Sequence, residues 1–387
     1  MALYHFLTFC ACFVNTIAAL NTCSNVSVGY DVNKVAARAK ELASHSWEYG
    51  TAAEAFLELY NPELSVFGDD PFPMNDIPQP EVTSIPSLVY AKPVIRTDNQ
   101  TLIDGDGAVG DPASLGVSAV LIGQSNTSYY QAATREADYV VNVAPRYWNG
   151  AISQRYNVAE IWADFVYMAP PFLAYYAVST NDTELLKETV RQCSLYKQVL
   201  QANITANATS DYSGLWTHII GPESTDLGLW STGNAWAAAG MTRVLATVSK
   251  WGPSSGWTEE QSTLKFLIKE IIDGAMHVDK SNGLLRNYLN DTTWYGETSG
   301  TALLTSVVYR MAVAAPEMFG SSYISWADEN RAAIAAHVTS NGTLSPAINP
   351  LNWGDTTPYT AGSPEGQSFG VLLYTAYRDC FCAGVCP

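Results

Sequence analysis

Apolar residues along most of the chain recur every three or four positions, which is the spacing of amphipathic helices. The pattern first runs from Asp31 to Tyr60. It returns in nine further segments, at 112–124, 127–143, 157–178, 182–203, 232–250, 258–276, 299–315, 324–338 and 366–379. Short loops of Gly, Asn, Asp or Pro separate these segments, and alternating strand patterns are few. The pattern therefore predicts an all-α protein built of stacked helical hairpins.

Residues 61–109 interrupt the helical pattern with a segment rich in Pro, Gly and Asp. Its prolines forbid long helices: Pro62, Pro71, Pro73, Pro78, Pro80, Pro86 and Pro93. An irregular stretch of this length is more often functional than a spacer, so it either shapes a pocket or covers one end of the fold. Because no linker divides the chain, we expect residues 21–387 to form a single domain.

Residues 1–20 carry no Asp, Glu, Lys or Arg, and their apolar stretch from Phe6 to Leu20 ends in small residues. This pattern is typical of a secretory signal peptide at 1–20, and the stretch is too short for a membrane anchor. Eight Asn-x-Ser/Thr sites point the same way: Asn25, Asn99, Asn126, Asn181, Asn203, Asn207, Asn290 and Asn341. We therefore expect a secreted, extracellular glycoprotein with no membrane partner.

Removal of the signal peptide leaves an odd number of cysteines: Cys23, Cys193, Cys380, Cys382 and Cys386. Disulfides are expected in the secretory compartment. Cys380 and Cys382 lack the partners of a zinc site, which favours a disulfide near the C-terminus instead. The sequence fixes neither the pairing nor the oligomeric state.

The composition narrows the class of function. Lys and Arg number 20 against 37 Asp and Glu, giving a net charge of −17 that excludes a typical nucleic-acid binder. No Gly-rich phosphate loop, HExxH or GxSxG motif is present, and the five His are scattered, so we expect no cofactor and no metal. The chain is instead rich in Trp (11) and Tyr (22), whose faces suit sugar rings.

Asp164 lies alone in the apolar segment 161–173, which the periodicity predicts to be helical. Burying an unpaired charge is costly, so the carboxyl must be paired, hydrated or protonated. A carboxyl with a raised pKa suits a general acid. Pro170 and Pro171 are expected to kink the helix. A buried Asp that caps a neighbouring helix is an equally good interpretation of Asp164.

Four other residues are candidates for the same chemistry. Asp111 precedes a Pro where a helix begins, so it is either an N-cap or a second carboxylate of the site. His218 follows a turn, and a lone His is more often structural than functional. Trp230 and Trp236 are six residues apart and cannot share a helical face, which places Trp230 in the loop before the helix. Paired Trp are more often part of a core.

Several sequence blocks together resemble the unsaturated glycuronyl hydrolases of glycoside hydrolase families 88 and 105. The resemblance covers about residues 31–379, and its blocks are YGTAAEAFLELY, GDPASLG, IWADFVYMAPPFLAYY, GLWTHIIG, WSTGNAWAAAGMTRVL and ETSGTALLTSVVYRMA. It implies an (α/α)6 barrel of six helical hairpins. It also implies an enzyme that protonates the C4=C5 enol ether of an unsaturated uronic residue, adds water at C5 and so releases the rest of the oligosaccharide.

The resemblance implies roles for individual residues as well. Asp164 matches the acid/base carboxylate and Asp111 the second carboxylate. His218 matches a residue that holds the substrate or water, and Trp162 and Trp230 match positions that line the sugar subsite. Two further residues of the matching blocks, Met168 and Trp236, are expected to contact the sugar.

One departure concerns the uronate carboxylate. Where the family carries an Arg that binds it, this chain has Thr232, which we still expect at the substrate-binding position although its hydroxyl cannot replace a charged bidentate contact. Arg155 is a candidate to compensate, although an ordinary surface charge is an equally simple interpretation. Two other functions therefore stay open: a conventional glycosidase that uses Asp164 and Asp111, and a secreted carbohydrate-binding protein without catalysis. We expect the hydrolase, with an oligosaccharide as its partner.

Overall fold

A computed structural model describes residues 26–202 and 212–387 of the protein. The predicted signal peptide and the positions Cys23, Asn25, Asn203 and Asn207 lie outside them. The helices of the described residues are α1 (Val32–Leu42), α2 (Ser46–Tyr60), α3 (Pro86–Ala91), α4 (Gly110–Ala113), α5 (Gly116–Gly123), α6 (Thr127–Asp138), α7 (Phe165–Met168), α8 (Pro170–Thr180), α9 (Thr183–Leu200), α10 (Ser231–Lys250), α11 (Thr258–His277), α12 (Thr298–Ala314), α13 (Ser321–Ala336) and α14 (Pro364–Cys382).

The helices form two concentric rings. In the inner ring α2 packs on α4 and α5, α5 on α8, α7 and α8 on α10, α10 on α12, and α12 on α14, which closes the ring by packing on α2. The outer ring consists of α1, α3, α6, α9, α11 and α13, which alternate with the inner helices along the chain. This arrangement is the predicted (α/α)6 barrel of six hairpins.

Burial explains which helices lie inside. Along α10 the residues from Ser231 to Leu245 are all buried, as expected of a helix with neighbours on every side. The outer helix α9 buries only one face, through Leu186, Val190 and Cys193, and exposes charged residues on the other. The apolar periodicity therefore predicted these elements well.

The predicted helix 157–178 is wrong in its first part. Residues 157–164 are not helical, and the backbone of strand β1 (Ile161–Trp162) pairs antiparallel with β2 (Ile219–Ile220). The helix begins only at Phe165 and breaks at Ala169, after which Pro170 starts α8 as its first residue. The predicted kink is present because proline is tolerated there and not inside a helix.

The Pro-rich segment does both things that the sequence left open. Its first part, with short 3-10 turns at Pro62–Leu64 and Pro73–Asn75, covers the barrel end where α10 finishes: the Trp251 indole donates a hydrogen bond to the Asn75 carbonyl (3.0 Å). Its last part, around Gly105, reaches the opposite end, where the inner helices begin.

The cysteines, the Asn-x-Ser/Thr sites and the hydropathy of the helices relate to the expected secretion. Cys380 is bonded to Cys386, as expected for the C-terminus, and Cys193 is a buried thiol. Among the described glycosylation sites Asn126 is half-buried, and four are exposed, namely Asn99, Asn181, Asn290 and Asn341. Within 26–202 and 212–387 no helix is long and apolar enough to cross a membrane.

Candidate active site

A cavity of about 280 Å³ lies at the barrel end where the inner helices begin. Its lining comes from segments just before or at the start of α2, α4, α7, α10 and α14. The aromatic residues of the lining are Trp47, Trp162, Trp230 and Trp353, and the acidic ones are Asp106, Asp111, Asp164 and Glu365. Aromatic faces beside carboxyl groups are the composition that a sugar-binding site needs.

The β1–β2 pair places Asp164 beside His218. The Ala163 backbone N–H donates to the His218 carbonyl (3.0 Å), so the two side chains share one wall of the cavity. His218 Nε2 lies 3.3 Å from Asp164 Oδ2, although the two atoms are not aligned for a hydrogen bond. Asp164 immediately precedes α7 without capping any backbone N–H there, so its side chain does not act as the helix cap that the sequence left open.

The opposite ring nitrogen of His218 faces a second carboxylate. Nδ1 lies 3.0 Å from Asp226 Oδ2, and Asp226 also accepts hydrogen bonds from the Tyr288 hydroxyl and the Gly228 backbone N–H. Burial alone lowers the pKa of His218, but Asp164 and Asp226 on its two sides outweigh burial and raise that pKa overall. The site therefore contains a chain of groups running from Tyr288 through Asp226 and His218 to Asp164.

Asp111 lies in α4 and is not a helix cap. Its Oδ1 accepts a hydrogen bond from Gln154 Nε2 (2.8 Å). Burial raises the pKa of Asp111 to about 7, with the charge of Asp164 adding to the effect and Gln154 and Arg155 opposing it. A carboxyl of this kind carries a proton below neutral pH and holds it in the cavity.

Three Trp rings surround His218. The ring centroids of Trp230, Trp353 and Trp162 lie 4.3, 5.2 and 5.7 Å from that of His218. Trp230 precedes α10, as predicted, and the Trp162 indole N–H donates to Glu160 (2.7 Å). Met168 also lines the cavity. Together the rings form an apolar wall around the Asp164–His218 contact.

Two predicted sugar contacts are wrong. Trp236 is buried in the core, with its ring 4.5 Å from the rings of Tyr167 and Phe369. Thr232 is fully buried and does not line the cavity. Both lie within α10, whose sides face neighbouring inner helices, and only Trp230 in front of that helix reaches the cavity.

Arg155 supplies the cavity with a positive charge. It pairs across an isolated bridge with Ala108, and its guanidinium packs on Gly107, where φ is +89° and an added Cβ would lie 2.8 Å from a guanidinium nitrogen. Among the described residues no carboxylate lies within 4 Å of this guanidinium. Arg155 is therefore available to an anionic ligand.

Sequence reasoning missed several residues of the site. Among them Asp226 and Tyr288 lie in short loops, Trp353 in the long segment between α13 and α14, and Glu365 in the first turn of α14. No local pattern in the sequence marks these four residues. In the described part of the chain no three His, Cys, Asp or Glu side chains are grouped as metal ligands.

The barrel and its acidic, Trp-lined cavity are consistent with a six-hairpin glycoside hydrolase. The sequence model of Glycosyl Hydrolase Family 88 matches residues 117–354, and the chain belongs to that family. The matched part includes Asp164 and His218, whereas Asp111 and Glu365 lie outside it.

Individual proteins are similar to this chain in sequence or in fold. The chain is 23% identical over 223 residues to the unsaturated rhamnogalacturonyl hydrolase YesR of Bacillus subtilis, an alignment that covers 56% of this chain and 59% of that protein. Among solved structures it resembles a family 105 glycoside hydrolase of C. acetobutylicum (TM-score 0.68, 15% identity, 89% and 98% of the two chains). It also resembles the unsaturated glucuronyl hydrolase of Bacillus sp. GL1 (TM-score 0.59, 14% identity, 89% and 94%).

Proposed function

We propose that the protein hydrolyses oligosaccharides that end in an unsaturated uronic residue, such as those left by a polysaccharide lyase. The observation that carries the proposal is the Asp164 carboxyl, 3.3 Å from His218 and surrounded by Trp rings in the cavity. Family membership and the names of the relatives support the same reaction.

In the proposed reaction Asp164 gives its proton to C4 of the enol ether. A water molecule adds through its oxygen to C5 and returns a proton to the carboxylate, so one water is consumed and the acid is regenerated. The resulting hemiketal rearranges and releases the remainder of the oligosaccharide. Positioned acids of this kind contribute about 10²–10⁴-fold to a rate.

Asp111 and His218 are the groups that support this step. Asp111 has a raised pKa of about 7, so it adds little negative charge beside an anionic sugar at or below neutral pH. His218, which faces Asp226 on its other side, lies 3.3 Å from the Asp164 carboxyl and favours its charged form once the proton has been given up. Trp162, Trp230 and Trp353 offer faces on which a sugar ring stacks.

The position of the cavity reconciles an anionic substrate with the overall charge of −17. The inner helices begin at this end of the barrel, and helix N-termini carry partial positive charge. Arg155 adds a full charge and takes the place that the sequence comparison assigned to an Arg at position 232. A uronate is thus attracted locally, although the distant surface is acidic.

We also propose that the protein acts outside the cell. The support comes from the apolar stretch 6–20 and from the exposure of Asn99, Asn181, Asn290 and Asn341. Glycan-specific cleavage of protein from the culture medium tests this, and protein that stays inside the cell without glycan contradicts it.

Loss of ultraviolet absorbance tests the proposed reaction, because the conjugated enol ether absorbs and its hydration product does not. Purified protein is incubated with lyase-generated disaccharides from pectic and glucuronan polysaccharides. We expect absorbance to fall with at least one of them. Constant absorbance with all of them, together with release of saturated sugar from ordinary oligosaccharides, would favour a conventional glycosidase.

A further inference from the structure

Glu365 is an acidic residue of the cavity lining that the proposed reaction does not use. It lies in the first turn of α14, only 1% of its surface is exposed, and it lines the same cavity as Asp164. Oε2 accepts a hydrogen bond from the Trp47 indole N–H (2.9 Å). Oε1 is buried and has no hydrogen-bond partner among the described residues.

An unpartnered carboxyl oxygen in such a place calls for a ligand. Leaving a buried polar atom unsatisfied is costly, so such atoms in native proteins usually meet water or a bound molecule. The rest of the Glu365 carboxyl is fixed, because Trp47 is itself partly buried beside it. The free oxygen therefore belongs to a fixed carboxyl of a residue that lines the cavity.

The surroundings of Glu365 decide whether it accepts or donates. Burial, the nearby carboxylates Glu48 and Asp164, and more distantly Glu297 raise the pKa of Glu365 well above its usual range, against the opposing hydrogen bond from Trp47. No Arg or Lys contacts it among the described residues. The raised pKa favours the protonated acid, whose O–H can donate, and the strongest acceptor for such a donor is an anion.

We propose that Glu365 is a substrate-binding residue that donates a hydrogen bond from Oε1 to the carboxylate of the uronic residue in the cavity, with Trp47 as its positioning residue. This inference rests on the proposed function, since it takes an acidic sugar as the ligand. It assigns recognition of the uronate to two groups of different kind, the guanidinium of Arg155 and the neutral acid of Glu365.

The test is a binding measurement on a catalytically inactive background. Titration calorimetry compares the single variant Asp164→Asn with two double variants, Asp164→Asn/Glu365→Leu and Asp164→Asn/Glu365→Gln. Each protein is titrated with an unsaturated disaccharide that Asp164→Asn binds and with the methyl ester of its uronate. Leu removes the donor, whereas Gln keeps an N–H donor and an acceptor for Trp47. We expect the Leu variant to weaken binding of the free acid about 10- to 100-fold, the worth of a hydrogen bond to a charge.

The Gln variant should stay within about threefold of the background, and the methyl ester should lose less than threefold in either variant. Unchanged binding of the free acid by the Leu variant overturns the proposal, and so does an equal loss for acid and ester. If the Leu variant unfolds, Trp47→Phe replaces it, with an expected loss for the acid alone. Absence of turnover by the wild-type protein would instead contradict the proposed function, which the absorbance assay reports separately.

Discussion

Two groups of buried carboxylates lie along the same inner helices, and their partners differ. Farther along the barrel Glu54 is paired with Arg243 (2.8 Å) and Glu58 with Arg310 (2.6 Å), and Arg310 also contacts Asp379. We call this set the barrel ion-pair network. At the barrel end where the helices begin, no Arg or Lys within 26–202 and 212–387 lies within 4 Å of the cavity carboxyls Asp111, Asp164 and Glu365, and the basic neighbour of Asp164 is His218.

The difference shows in the proton affinity of Asp379, but not in that of Glu54, whose pKa burial raises in spite of the neighbouring Arg243. Burial raises the pKa of Asp379, but Arg310 and Arg378 outweigh burial and lower that pKa overall. Nothing comparable offsets burial at Asp111 and Glu365, whose pKa values are raised. Two Arg side chains thus favour the ionised form of Asp379, whereas burial favours the protonated forms of the cavity acids Asp111 and Glu365.

The largest expected effect comes from removing the proton donor among the cavity carboxyls. Asp164→Asn keeps the shape of the side chain and should lower kcat by about 10²–10⁴-fold, because the amide cannot give a proton to C4. The absorbance assay measures the rate, and thermal unfolding checks that the fold is intact. Near-wild-type turnover would remove Asp164 from the mechanism.

The next largest effect concerns the barrel ion-pair network. Arg310→Met leaves Glu58 without its cation and Asp379 with Arg378 alone, and should lower the free energy of unfolding by about 3–5 kcal/mol, with kcat unchanged in the folded fraction. Lys187→Met is the control, because its exposed pair with Glu184 is worth at most about 1 kcal/mol. If both variants lost the same free energy of unfolding, burial would not determine how much the Arg310–Glu58 pair contributes to stability.

A smaller effect is expected from Asp111→Asn, and it depends on pH. With a folded-state pKa of about 7 against an ordinary 3.8, folded protein binds more protons than unfolded protein between these values. Stability due to Asp111 is therefore full below about pH 4 and falls as pH rises to about 7. Asp111→Asn removes this loss. At pH 8 its free energy of unfolding should therefore exceed that of the wild-type protein by about 1–3 kcal/mol, after allowance for solvent screening of a half-buried group.

Chemical denaturation at pH 4 and pH 8 measures this change. Asn keeps an acceptor for Gln154, so the comparison isolates the charge. The stability gain should be present at pH 8 and absent at pH 4. A gain of the same size at both pH values would mean that packing, and not proton binding, separates the two proteins.

The smallest effect is expected behind His218. Asp226→Asn keeps an acceptor for Nδ1 but removes a negative charge, so the pKa of His218 should fall and kcat/KM should drop about three- to tenfold, the worth of one hydrogen bond. An NMR titration of the His218 ring, compared with Tyr288→Phe, follows the shift directly. An unchanged pKa with lost activity would point to structural damage.

The fold was largely predictable, because an all-helical barrel repeats one signal, the apolar periodicity of its hairpins. The site was predictable where the motif was local: Asp164, His218 and Trp230 all reach the cavity. The prediction of local structure failed where hydrogen bonds between distant backbone segments determine it. Residues 157–164 pair as a strand, a tertiary contact that overrides the helical pattern.

The remaining errors have the same origin. Trp236 and Thr232 lie in α10, a few residues after Trp230. Which side of an inner helix faces the cavity depends on the helices that pack against it, and the sequence of α10 does not show this. Trp353 and Glu365 come from the end of the chain and reach the cavity only because α14 closes the ring beside α2. No spacing within the sequence carries that information.

One measurement tests the central claim, that Asp164 delivers a proton to C4 of an unsaturated sugar. The reaction is run in D₂O with a lyase-generated disaccharide, and the released sugar is analysed by NMR. Hydration of the double bond predicts one deuterium at C4 of the product with wild-type protein and no product with Asp164→Asn. Cleavage of the glycosidic bond with the double bond intact and no deuterium at C4 would contradict the account.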